Sequence, residues 1–110
     1  MNLNTIRQEL RTKTIELKTN PSTGYSWALT ISPPKGVISI VSNEYIQDEN
    51  KTGGPMPGMG GKRLYTFESV AKGEAELVFQ HFPPGVRIPA ETVTYKAIVD
   101  DKNTLTLIKK

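Results

Sequence analysis

Gly73-Glu74-Ala75-Glu76-Leu77-Val78-Phe79-Gln80-His81 places Ala75, Leu77, Phe79 and His81 on one side of an extended chain and Glu74 and Glu76 on the other. A period of two is the signature of a strand with one face in a core and one in water. A helix would need apolar residues at i, i+3, i+4 and i+7, and no window of this chain keeps that spacing for three turns. The paired carboxylates Glu74 and Glu76 therefore belong on the solvent face.

The same rhythm recurs on both sides of this stretch. Ile15 and Leu17 alternate with Thr14, Glu16 and Lys18, and Trp27, Leu29 and Ile31 alternate with Ala28 and Thr30 before the breaker pair Pro33-Pro34. Val37 to Val41 is a β-branched run, and Lys62 to Val70 carries Tyr65 and Phe67 on one face. Thr92 to Asp100 turns Val93, Tyr95, Ala97 and Val99 inward, and Asn103 to Ile108 closes a hairpin through Asp100-Asp101-Lys102. The chain reads as all-β, a sandwich of about seven to eight strands. Its 110 residues make one domain, spanning 1–110, with no internal repeat and no linker.

Composition excludes several functions. The formal charge is +3, and the only adjacent basic pairs are Lys62-Arg63 and Lys109-Lys110, which is too dispersed for a nucleic-acid footprint. With no Cys and His81 the only histidine, there is no disulfide framework, thiolate site or multi-histidine metal site, so neither a metal nor a cofactor is expected. No run of eighteen apolar residues is present, so no membrane partner is expected. The compartment stays open: cytoplasmic as written, and secreted, cell-envelope or endolysosomal if a signal peptide has been removed.

Catalysis finds little to build on. A Ser/His/Asp triad could draw only on His81, there is no Gly-x-Ser-x-Gly elbow, and His81 reads as a partly buried or rim histidine near a loop at the end of its strand. The glycines Gly53-Gly54 and Gly58-Met59-Gly60-Gly61 lack the Lys-Ser/Thr of a phosphate loop. The expectation is a protein that is not an enzyme.

Attention then falls on the loops. Gln47 to Gly61 is long and rich in Gly and Pro, and Phe82 to Glu91 holds three prolines and a glycine. Long loops in a small domain are usually functional or disordered. The most constrained connection is Asn20-Pro21-Ser22-Thr23-Gly24-Tyr25, where Pro21 fixes its own φ and Gly24 permits a positive one. Such residues also make ordinary turns.

That hexapeptide, followed by Ser26-Trp27, resembles the Asn-Pro-Thr-Thr-Gly-aromatic loop of the chagasin family, inhibitors of papain-like cysteine proteases. Gly58-Met59-Gly60-Gly61 resembles the family's second element, a Gly-x-Gly-Gly loop before a strand. The third element, an Arg-Pro-aromatic loop, is where the chain departs: after Phe79 come Gln80-His81-Phe82-Pro83-Pro84-Gly85, and Arg87-Ile88-Pro89 is a poorer substitute.

The resemblance implies an immunoglobulin-like β-sandwich with three loops at one end forming a wedge. It implies a reversible, tight-binding inhibitor whose partners are papain-like, cathepsin-type enzymes, met as a monomer in 1:1 complexes. The implied contacts are Asn20, Pro21, Ser22, Thr23, Gly24 and Tyr25 in the first loop and Gly58, Met59, Gly60 and Gly61 in the second. His81, Phe82, Pro83, Pro84 and Arg87 make up the third. The competing reading is an immunoglobulin-like binding or adhesion module that inhibits no protease.

Overall fold

The computed structural model describes residues 10–48 and 60–110. Seven strands run through them: β1 (Thr12–Thr19), β2 (Ser26–Ser32), β3 (Ile38–Gln47), β4 (Gly61–Ser69), β5 (Gly73–Phe82), β6 (Glu91–Val99) and β7 (Leu105–Lys109). One antiparallel sheet has the order β1-β4-β3 and the other β2-β5-β6-β7, and together they form an immunoglobulin-like sandwich.

The alternation of β5 holds. Ala75, Leu77 and Phe79 are buried while Glu74 and Glu76 face water, where Lys96 and Lys110 approach them at 2.7 and 2.8 Å. Both ion pairs are exposed, and pairs of that kind contribute at most ~1 kcal/mol. The inward face meets Ile15 and Leu17 of β1, Tyr65 and Phe67 of β4, Ala97 and Val99 of β6 and Leu105 of β7. Phe79 is the hub. Its ring meets Tyr65 edge-on at 5.1 Å, Phe67 at 6.4 Å and Tyr95 at 6.1 Å, tying the two sheets together. Edge-to-face aromatic pairs of this geometry add about 0.5–1.5 kcal/mol each beyond area burial.

One strand is longer than its sequence suggests. Of the β-branched run Val37 to Val41, Val37 precedes β3 and Ile38 to Val41 give only its first part, which continues through Ser42-Asn43-Glu44-Tyr45-Ile46 to Gln47. β3 is an edge strand hydrogen-bonded to β4 alone, so polar side chains are tolerated there. A register shift between Ile40 and Ser42 also breaks the period. Gln47, expected in the loop, is the last residue of the strand.

The register fixes which connections share an end. Thr19 and Gln47 both pair with Gly61, Ser26 pairs with Phe82, and His81 pairs with Glu91. The β1–β2, β3–β4 and β5–β6 connections therefore leave from the same end of the sandwich. The β2–β3, β4–β5 and β6–β7 connections occupy the other.

Candidate functional site

The β1–β2 connection is closed by its own short polar side chains. Pro21–Thr23 is one 3-10 turn, with Asn20 at the position of its cap. Asn20 Oδ1 accepts from the Ser22 amide at 3.3 Å and the Ser22 hydroxyl at 2.6 Å, and the Asn20 carbonyl accepts from the Thr23 amide at 3.1 Å and the Thr23 hydroxyl at 2.7 Å. The Tyr25 amide donates back to Thr23 Oγ1 at 3.4 Å. Asn, Ser and Thr are the residues whose side chains can substitute for backbone partners at this range. Ser22, Thr23, Gly24 and Tyr25 stay exposed at the tip.

Gly24 has φ of +79°, and a Cβ placed on it would lie 3.0 Å from Pro84 Cβ. The first and third loops thus come together at a point where a side chain would be both strained by the positive φ and crowded by Pro84. Pro84 itself belongs to a tight turn in which the Val86 amide donates to the Pro83 carbonyl at 3.2 Å and Gly85 has φ of +71°. Proline followed by a positive-φ glycine is the type II signature. The Ala90 amide closes the loop base on the His81 carbonyl at 2.8 Å. Between the first loop and this one lies an open groove of about 610 Å³, flanked by Gly24, Ser26 and Phe82 to Arg87.

His81 and Phe82 end strand β5 rather than lying in the loop, and the His81 side chain is only 18% exposed. Its ring stacks on Trp27 at 4.3 Å with an 11° tilt and meets Tyr25 at 5.1 Å. Nδ1 lies 3.9 Å from a Glu91 carboxylate oxygen, and Nε2 is buried without a hydrogen-bond partner among the described residues. The Trp27 indole donates to the Lys18 carbonyl at 3.0 Å, so the stack that underlies Tyr25 is anchored to β1.

Of the glycines in the β3–β4 connection, Gly58 and Met59 lie outside the described residues. Gly60 sits at the loop base, where its carbonyl accepts from the Asp48 amide at 2.9 Å, next to Thr19 and Asn20. Gly61 is the buried first residue of β4, and a Cβ there would run into the Ile46 carbonyl oxygen and the Tyr45 ring. Its lack of a side chain serves the β3–β4 pairing.

Arg87 is exposed on the third loop, beside Val86 and Ile88, which are 46% and 76% exposed. Val86 was not singled out in the sequence, and Ile88 entered only as the middle of Arg87-Ile88-Pro89. Their signal is an apolar pair on a loop stiffened by Pro83, Pro84 and Pro89, where no strand face can bury them. Among the described residues no three His, Cys, Asp or Glu side chains gather as a metal site. No helix among them is long and apolar enough to cross a membrane.

A sequence family described as Chagasin family peptidase inhibitor I42 matches residues 9–99. The chain belongs to the chagasin family of peptidase inhibitors. It is thus related to proteins that block peptidases, not to enzymes. The crystal structure of the cysteine protease inhibitor EhICP2 from Entamoeba histolytica shares the fold of this chagasin-family chain, at 22% identity and a TM-score of 0.66, over 79% of this chain and 77% of that one. The solution structure of amebosin is similar over 77% of this chain and 74% of its own, at 29% identity and a TM-score of 0.52. No curated protein matches the chain.

Proposed function

We propose that this chagasin-family protein is a reversible, tight-binding inhibitor of papain-like, cathepsin-type cysteine peptidases, acting as a monomer in 1:1 complexes. It wedges the loop end of its sandwich into the active-site cleft. The observation that carries the reading is the self-bonded loop Asn20 to Tyr25, exposed at its tip and braced from below by Trp27 and His81.

A segment held beside a peptidase nucleophile is ordinarily a substrate. Cleavage needs a carbonyl carbon in near-attack geometry, and a loop that cannot relax into that geometry resists it. Here the Asn20 carbonyl is occupied by two donors from Thr23, and Gly24 is fixed against Pro84. A loop already in its bound shape also loses little conformational entropy on docking.

In this reading Ser22 and Thr23 come closest to the peptidase nucleophile. His81 is a positioning residue, since its ring is covered by Trp27 and Tyr25 and holds the tyrosine. The third loop departs from the Arg-Pro-aromatic pattern and offers apolar contact through Val86 and Ile88, with Phe82, Pro83, Pro84 and Arg87 along the groove. Gly58, Met59 and Gly60 flank the other side through the backbone, while Gly61, buried at the start of β4, drops out of the contact set. An interface of standard size would bury ~1,600 Å² in total.

The test is an amide hydrogen-exchange footprint of the complex with catalytically inactivated papain. Slowed exchange at Ser22 to Tyr25 and Gly85 to Ile88, with β7 and the opposite end unchanged, supports the wedge. Protection confined to the opposite end, or none, overturns it.

A further inference from the structure

The inward-facing series of β4 does not end with core residues. Phe67 and Tyr65 are buried, and the next position on that face is Arg63. A guanidinium directed between two sheets is costly unless it finds charge or hydrogen bonds. Arg63 is half-buried and finds few: Nη1 donates to Asn43 Oδ1 at 3.0 Å, and the guanidinium carbon stands 5.9 Å over the Tyr45 ring. Among the described residues the remaining donors of its fork meet no acceptor and no carboxylate pairs with it.

Beside it the sandwich is open. A cleft of about 380 Å³ separates Asn43, Arg63 and Tyr65 from Ser26 and Trp27 on the facing sheet and from Tyr25 just before it. No Asp or Glu lines it. Its walls offer aromatic faces, the Tyr65 and Ser26 hydroxyls and a planar cation whose geometry matches a carboxylate in bidentate fashion. The cleft begins at the residues that close the first loop, yet its chemistry is distinct from that of the loop tip.

We propose that this cleft is a binding site for a carboxylate group, held by the Arg63 fork with Asn43 and Tyr65 beside it and bracketed by the rings of Tyr25 and Trp27. Two sources can supply that chemistry: a free acidic amino-acid or peptide ligand, or an acidic side chain of a bound peptidase reaching around the first loop. Only the second source rests on the proposed function.

The probe is N-acetyl-L-glutamate, titrated into the isotope-labelled full chain, with N-acetyl-L-glutamine as the neutral isostere. The reporters are the Arg63 Nε–H and Trp27 indole N–H resonances. Saturable shifts with the acid, at least tenfold weaker with the amide and with Arg63→Gln, support the site. Arg63→Lys keeps the charge without the fork, so it should retain only part of the affinity, and it covers the case in which Arg63→Gln does not fold. Equal responses to acid and amide, or acid binding that survives in both variants unchanged, overturn the proposal.

A second arm assigns the source. If the preformed papain complex no longer binds N-acetyl-L-glutamate and Arg63→Gln weakens papain inhibition at least tenfold, the carboxylate comes from the peptidase. If the complex still binds the probe and inhibition is unchanged, the site serves a free ligand. The titration of the uncomplexed chain stands whether or not papain is inhibited.

Discussion

Replacing Gly24 with alanine tests the link between the first and third loops. Gly24 has φ of +79°, and an added Cβ would meet Pro84 Cβ at 3.0 Å. A side chain in the left-handed region costs about 1–2 kcal/mol, and an overpacked contact typically costs about 1–3 kcal/mol more. The native loop shape should therefore be disfavoured by at least ~2 kcal/mol, roughly 30-fold in an equilibrium constant. If the loop keeps its shape, the loss falls on stability, where ~2 kcal/mol lowers Tm by about 8 °C or more in a domain of this size. If it relaxes, the loss falls on inhibition.

Ser22 to Tyr25 are exposed, so relaxation is open to the loop and inhibition should take the larger share. The assay is the papain inhibition constant beside a thermal melt for Gly24→Ala, with Gly85→Ala as the comparison. Gly85 has φ of +71° but nothing within 4 Å of an added Cβ, so it isolates the backbone term. Adding Pro84→Ala to Gly24→Ala should recover part of the deficit. Unchanged inhibition and an unchanged melt in Gly24→Ala would refute the reasoning, and so would equal effects of Gly24→Ala and Gly85→Ala on both readouts.

Other perturbations address other parts of the account. Asn20→Ala removes the acceptor for the Ser22 amide and hydroxyl and should cost about 0.5–2 kcal/mol of loop order, as caps of this kind do; Asn20→Asp, which keeps an acceptor, should inhibit papain better than Asn20→Ala. Phe79→Ala empties the centre of the aromatic cluster and should lower unfolding stability by about 3–5 kcal/mol in denaturant titration. Burial raises the Tyr65 phenol above its ordinary value of 10.0, with the Arg63 guanidinium opposing. The folded chain then holds this proton more tightly than the unfolded one, so the associated stability is whole below pH 10.0 and is lost as pH climbs through the folded value. Melts across that range should show a shallower alkaline loss for Tyr65→Phe than for the native chain.

The fold was legible wherever one strand face is apolar and the other wet. Ala75, Leu77 and Phe79 against Glu74 and Glu76 state the pattern without ambiguity, as do Ile15 and Leu17. It was illegible along Ser42 to Gln47, because an edge strand paired on one side needs no apolar face and a bulge resets the period. Within the candidate site, the spacing of Pro21 and Gly24 announced a constrained loop, and its motif announced the family. The partners of those residues did not show. Pro84 against Gly24 and His81 against Trp27 are contacts between segments far apart in the chain, created by the β2–β5 register. Gly61 reads as part of a backbone-exposing loop, yet it is buried where Tyr45 and Ile46 leave no room for a side chain. Arg63 belonged to a basic pair in the sequence, and only the pleat of β4 separates it from Lys62, which pairs with Glu16 at 3.1 Å on the outer face.

The central claim is that a chain with this loop end blocks a papain-like enzyme without being cut. The most direct measurement adds the purified protein to active-site-titrated papain and follows residual activity together with the intact mass of the chain. The account predicts a stoichiometric 1:1 end point, recovery of activity on dilution or displacement, and a chain of unchanged mass. Full papain activity at micromolar protein, or cleavage of the chain between Asn20 and Tyr25, would contradict it.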